Sequence, residues 1–127
     1  MPKPAAKQDD PVRATDLHVE VVQGTPVMVP HPFEGTLSGE LSPDVVVEHK
    51  AAALVTSTAS NDPPHTPTSG AFATPPQNEG TVVTGSATVF ANHKPMARDG
   101  DRVLTCNDPM DLPVGVITAQ STVIVGD

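Results

Sequence analysis

The chain has 127 residues, three Phe, no Trp or Tyr, fifteen Pro, nine Gly, a single Cys and a net charge of −8. That length admits one modest core, the charge argues against a nucleic-acid backbone as partner, and a lone cysteine excludes an internal disulfide. No Pro- or Gly-free run of twelve residues holds a helical apolar period, so the chain reads as all-β. It shows neither an apolar leader nor an apolar run of membrane-spanning length, and a cytoplasmic start without a cleavable signal is expected. A small core so poor in aromatics is expected to gain stability from a bound metal.

In chain order, the first element is Lys3 to Asp10, KPAAKQDD, where Asp9 and Asp10 read as a solvated turn. Pro11 to Gly35 reads as a long connection. It carries His18, fifteen residues after Lys3, and His31 within VPHPFEG. Ser42 to His49, SPDVVVEH, leads into Lys50 to Ser57, KAAALVTS, which resembles the opening segment. The Pro-rich stretch Pro63 to Gln77 reads as an ordered loop and holds His65, fifteen residues after Lys50. Gly80 to His93, GTVVTGSATVFANH, then leads into Lys94 to Asp101, KPMARDGD, with Cys106 twelve residues after Lys94. Finally Gln120 to Asp127, QSTVIVGD, resembles the leaders but has no trailing segment.

The leaders align as Asp44 to Val47, Thr88 to Ala91 and Thr122 to Val125, β-branched runs that favour strands. Glu48-His49 and Asn92-His93 stand where a two-residue hairpin loop would. Two hairpins are complete, and the orphan trailer at the start complements the orphan leader at the end. The repeat is therefore circular, with a third hairpin assembled from the N- and C-terminal strands, and it predicts a threefold-like body. Strand alternation turns Val45, Val89 and Val123 toward the core with Val47, Ala91 and Val125. Val46, Phe90 and Ile124 point to the opposite face, either as ordinary surface or as a docking patch.

His18, His65 and Cys106 follow their trailing segments in similar register, so the loops that carry them are expected to converge at one end. His31, which has no repeat equivalent, could complete four donors. Three imidazoles and a thiolate suit a closed tetrahedral Zn²⁺ site, one ion per chain, with no open position for a catalytic water. His49 and His93 belong to hairpin turns at the other end. Phosphate-binding loops, HExxH and GxSxG are absent, and no catalytic residues are assigned.

The stretch GTVVTGSATVFANHKPMARDGDRVLTC resembles the repeat of PAAR and PAAR-like proteins. The naming tetrapeptide stands here as Pro4-Ala5-Ala6-Lys7, Ala51-Ala52-Ala53-Leu54 and Pro95-Met96-Ala97-Arg98, none of them a perfect match. TDLH, PHPFEG, NDPPH and TCNDP also look like that family's loop motifs. The resemblance implies a small cone of β-strands, residues 1–127 as a single domain without an effector extension, and a structural Zn²⁺ on His18, His31, His65 and Cys106. It also implies a non-enzymatic role: capping and sharpening the spike of a contractile injection apparatus, of type VI secretion or phage-tail kind, for membrane puncture and effector delivery. The partner would be a trimeric β-helical, VgrG-like spike protein, one tip per trimer, with effectors as an optional further partner and a transient contact with the target membrane. Val46, Phe90 and Ile124 are the expected contact. Such a protein would assemble in the bacterial cytoplasm and leave it on the spike. The competing readings are a small zinc enzyme, which needs an open metal position, and a metal-binding adaptor without a spike partner.

Overall fold

The computed structural model describes residues 2–127. The described residues form thirteen strands and no helix. Six of them close into a barrel: β2 (Pro11–Val22), β3 (Thr25–Gly39), β6 (Thr58–Asn61), β8 (Glu79–Val82), β11 (Arg102–Thr105) and β12 (Leu112–Ile117). Each pairs antiparallel with the next, and a β12–β2 pairing shuts the ring. The short β7 (Ala71–Phe72) adds to β2 beyond that seam.

Below the barrel lie three two-stranded hairpins. β4 (Val46–Val47) pairs with β5 (Lys50–Ala51), β9 (Phe90–Ala91) with β10 (Lys94–Pro95), and β1 (Lys3–Pro4) with β13 (Ile124–Val125). The register is the same each time: Val47 faces Lys50, Ala91 faces Lys94, and Val125 faces Lys3. The third hairpin is thus made from opposite ends of the sequence, as the circular repeat predicts. In the two covalent loops both residues have positive φ, 50° and 71° at Glu48 and His49, 53° and 67° at Asn92 and His93. This is the left-handed pair that a two-residue hairpin loop requires.

The trailing segments meet on a local threefold axis. Ala6 N–H donates to Ala97 O at 2.9 Å, Ala97 N–H to Ala53 O at 2.9 Å, and Ala53 N–H to Ala6 O at 3.0 Å, closing a ring of backbone bonds. All three alanines are fully buried, because three chains meeting on an axis leave no room for a larger side chain. The ring separates two apolar layers. Beneath it Ala5, Ala52 and Met96 pack with Val47, Ala91 and Val125; above it lie Val12, Ala59 and Val103 with Leu37, Val82 and Ile117. Val45 and Val89 are half-buried against the lower layer, as alternation predicts, but Val123 is 40% exposed.

One large side chain breaks the symmetry. Phe33 fills the barrel above the upper layer with zero exposure, and glycines make its space. A Cβ on Gly35 would lie 2.5 Å from Ser60 O and 3.1 Å from the Phe33 ring; one on Gly80 would lie 2.8 Å from Val103 and 3.4 Å from that ring. The close approach of strand to ring is what requires glycine there.

Two expectations need correction. Pro11 to Gly35 is no irregular connection: β2 and β3 pair over twelve consecutive positions. Pro26, Pro30 and Pro32 share one parity, so their donor-less nitrogens fall on one edge of β3, which β6 covers only from Gly35 onward. Proline is tolerated on such an uncovered edge. The Asp9-Asp10 turn is solvated only at Asp9, which is exposed and has a positive φ. Asp10 is buried, accepting the Lys7 N–H at 2.9 Å and the Lys7 ammonium at 3.0 Å. Asp101 does the same for Arg98, at 2.7 Å from its N–H and 3.1 Å from its guanidinium. In the middle repeat Leu54 and Ser57 keep the backbone bond without the ion pair.

Candidate metal centre

Along β2 the inward-facing positions beyond Ala14 are Asp16, His18 and Glu20, all at or below 1% exposure. On β3 they are His31 and Phe33. A strand that alternates in and out therefore lines the upper barrel with carboxylates and imidazoles, set above Phe33. Two loops complete the lining. His65 follows β6, and Cys106 stands directly after β11; both are buried.

Asparagine and aspartate side chains hold these loops in place. Asn61 Oδ1 accepts the Glu34 N–H at 2.8 Å and Asp62 N–H donates to Glu34 O at 3.0 Å, seating the His65 loop on β3. Asn107 Oδ1 accepts the Leu17 N–H and Asp108 Oδ2 the Val19 N–H, both at 2.7 Å, and Asp108 N–H donates to Leu17 O at 2.8 Å. The edge of β2 left free between β12 and β7 is thus completed by the loop that presents Cys106. Buried backbone groups need such partners.

Three of the four sequence-predicted ligands, His18, His65 and Cys106, come together with Asp16, and the His31 ring stands next to theirs. The His18, His31 and His65 ring centroids form a triangle with separations of 5.2, 5.3 and 5.9 Å. Ligand atoms of His18, His65, Cys106 and Asp16 all lie within 4.8 Å of one another. His31 stands beside this set with its Nε2 hydrogen-bonded to Glu20 at 2.8 Å. The placement differs from expectation in one respect: His18 and His31 are in mid-strand, and only His65 and Cys106 come from loops.

Asp16 and Glu20 are functional candidates that the repeat register missed. Asp16 Oδ1 accepts from Thr105 Oγ1 at 2.6 Å, and its Oδ2 lies 2.8 Å from His65 Nε2 and 3.6 Å from Cys106 Sγ. Glu20 is fully buried and accepts the N–H groups of Thr68, Ser69 and Gly70 as well as His31. Burial opposes its charge, yet these donors hold its carboxyl down to about 2. The Asp-x-His-x-Glu alternation of residues 16 to 20 was the signal available in the sequence.

These residues fit a metal ion. Both ring nitrogens of His18 are buried without a hydrogen-bond partner. Asp108 Oδ2 comes to 3.5 Å of Nδ1, but that oxygen is committed to the Val19 N–H. An unsatisfied buried polar group costs about 1–3 kcal/mol, and a bound cation would remove that cost. Burial pushes the Cys106 thiol up to about 11 and moves His65 down against the pull of Asp16. Lowering favours the neutral, donating form of His65, and coordination would deprotonate the thiol outright.

No curated protein and no solved structure matches the chain. Residues 72–127 match the family model of the PAAR motif. The matched stretch runs from Phe72 through the β9–β10 hairpin and the Cys106 segment to the closing strand β13. It begins after His18, His31 and His65, which belong to the earlier part of the same barrel. The second complete hairpin repeat lies inside that match, so this C-terminal part of the chain is similar to the PAAR motif.

Proposed function

We propose that the chain is a non-enzymatic, zinc-stabilised tip that caps the trimeric β-helical spike of a contractile injection apparatus. The observation that carries this reading is the base. One chain presents three hairpins in the same register round a ring of Ala6, Ala53 and Ala97, and each carries one large exposed apolar residue. Val46 is 60% exposed, Phe90 56% and Ile124 58%. A threefold patch on a single chain is complementary to the end of a true trimer, where each repeat meets one subunit. The partner is then a VgrG-like spike at one chain per trimer, assembled in the bacterial cytoplasm and carried outward with the tip toward the target membrane.

At the opposite end His18, His31, His65 and Cys106 would hold one Zn²⁺, tying β2, β3 and two loops into one vertex. Bound zinc supplies a cross-link, and structural sites contribute roughly 10–16 kcal/mol of apparent folding free energy. Four protein donors leave no open position for substrate or water, which supports a structural role.

The test mixes the purified chain with a trimeric spike and reads stoichiometry by native mass spectrometry. One chain per trimer is expected. Phe90→Asp should weaken the complex, since a buried unpaired carboxylate costs about 3–5 kcal/mol. A complex of three chains per trimer, or none at all, would overturn the capping role.

A further inference from the structure

We infer that Glu20 is a positioning residue for the metal centre: it sets the ring of His31 and, through the same carboxylate, seats the loop that follows His65. The inference rests on the zinc reading. Glu20 Oε2 meets His31 Nε2 at 2.8 Å, while Oε1 accepts the N–H of Ser69 at 2.9 Å and of Gly70 at 3.1 Å. Thr68 adds its N–H at 3.1 Å. The loop is pressed close to β2 at this point, since a Cβ on Gly70 would collide with the carbonyl of Val21.

Every neighbour aimed at this carboxylate is a donor, so it serves as an acceptor toward His31 too. The His31 Nε2 therefore carries the proton, and the lone pair of the neutral ring is on Nδ1. One carboxylate thus selects the tautomer of one imidazole and ties down the chain beyond another. Partners that fix a ligand's orientation from outside typically account for 10–100-fold in metal affinity.

Two measurements test this. In ¹⁵N-labelled protein, long-range ¹H–¹⁵N correlation reads the His31 tautomer directly, and the Nε2–H form is expected with and without zinc. Competition against a chromophoric chelator then reads zinc affinity for Glu20→Gln, expected to fall roughly 10–100-fold. In a His31→Ala background the same substitution should cost clearly less than in the unsubstituted chain, because only the seating of the 68–70 loop is then left to lose. An Nδ1–H tautomer in the unsubstituted chain, unchanged affinity in Glu20→Gln, or losses that simply multiply in the double variant would each overturn the inference. An unsubstituted chain that takes up no zinc overturns the metal reading and this inference together. Zinc binding that ignores Glu20 overturns this one alone.

Discussion

At the base, Ala6, Ala53 and Ala97 stand at the same place in their repeats, and each backbone donor finds its acceptor on the neighbouring copy. At the vertex, His18 and His31 come from two strands and His65 and Cys106 from two loops, with Asp16 against His65 and Cys106 and Glu20 against His31. Small apolar residues and main-chain bonds suffice where three copies of one motif converge. Three symmetric copies of one ligand would supply three donors, one short of a closed tetrahedral site, so a fourth donor has to break the symmetry there. Phe33 marks the border, with threefold packing below it and a polar, asymmetric constellation above.

The sharpest break between the two regions should come from the metal. On the proposed zinc reading, chelation or Cys106→Ser is expected to lower the melting temperature by more than about 10 °C and to abolish stoichiometric metal content. Hydrogen exchange should speed up first in β2 and the 62–70 loop while the amides of Ala6, Ala53 and Ala97 stay protected. Uniform loss of protection would mean that base and vertex are one cooperative unit. Next in size is the base. Deleting residues 1–10 removes β1 and one third of the alanine ring, leaving β13 unpaired and Val125 uncovered. Size-exclusion chromatography should show aggregation, because an open strand edge with an apolar column recruits other chains. A soluble, zinc-loaded deletion with unchanged melting would refute the closed threefold base.

Gly35→Ala tests the border itself. Its Cβ would press on Ser60 O and the Phe33 ring, and a loss of about 1–3 kcal/mol in denaturant melts is expected. The smallest effect should come from Phe90→Asp. This exposed position should change stability by no more than about 0.5 kcal/mol, while the proposed spike binding should weaken. A large destabilisation there would show that Phe90 packs within the chain and offers no free docking surface.

Much of the base was legible before any coordinates. Hairpin register depends on two residues of loop and a few β-branched neighbours, and such local rules repeat visibly in Val47 to Lys50, Ala91 to Lys94 and the split pair Val125 and Lys3. The β2–β3 ribbon was hidden because its prolines read as breakers, and only the sheet order shows that their edge is uncovered. The metal candidates were legible as residue types in repeat register, but their partners were not. Asp16 meets Thr105 and His65 across 89 and 49 positions of sequence, and Glu20 meets the backbone of Ser69 across 49. Sequence by itself determined the all-β class and the circular repeat and brought His18, His65 and Cys106 forward as candidate ligands, since each follows from spacing along the chain. Only the tertiary structure decided that two buried carboxylates face those donors and that His18 is left unpartnered, because such contacts exist only once the barrel has closed.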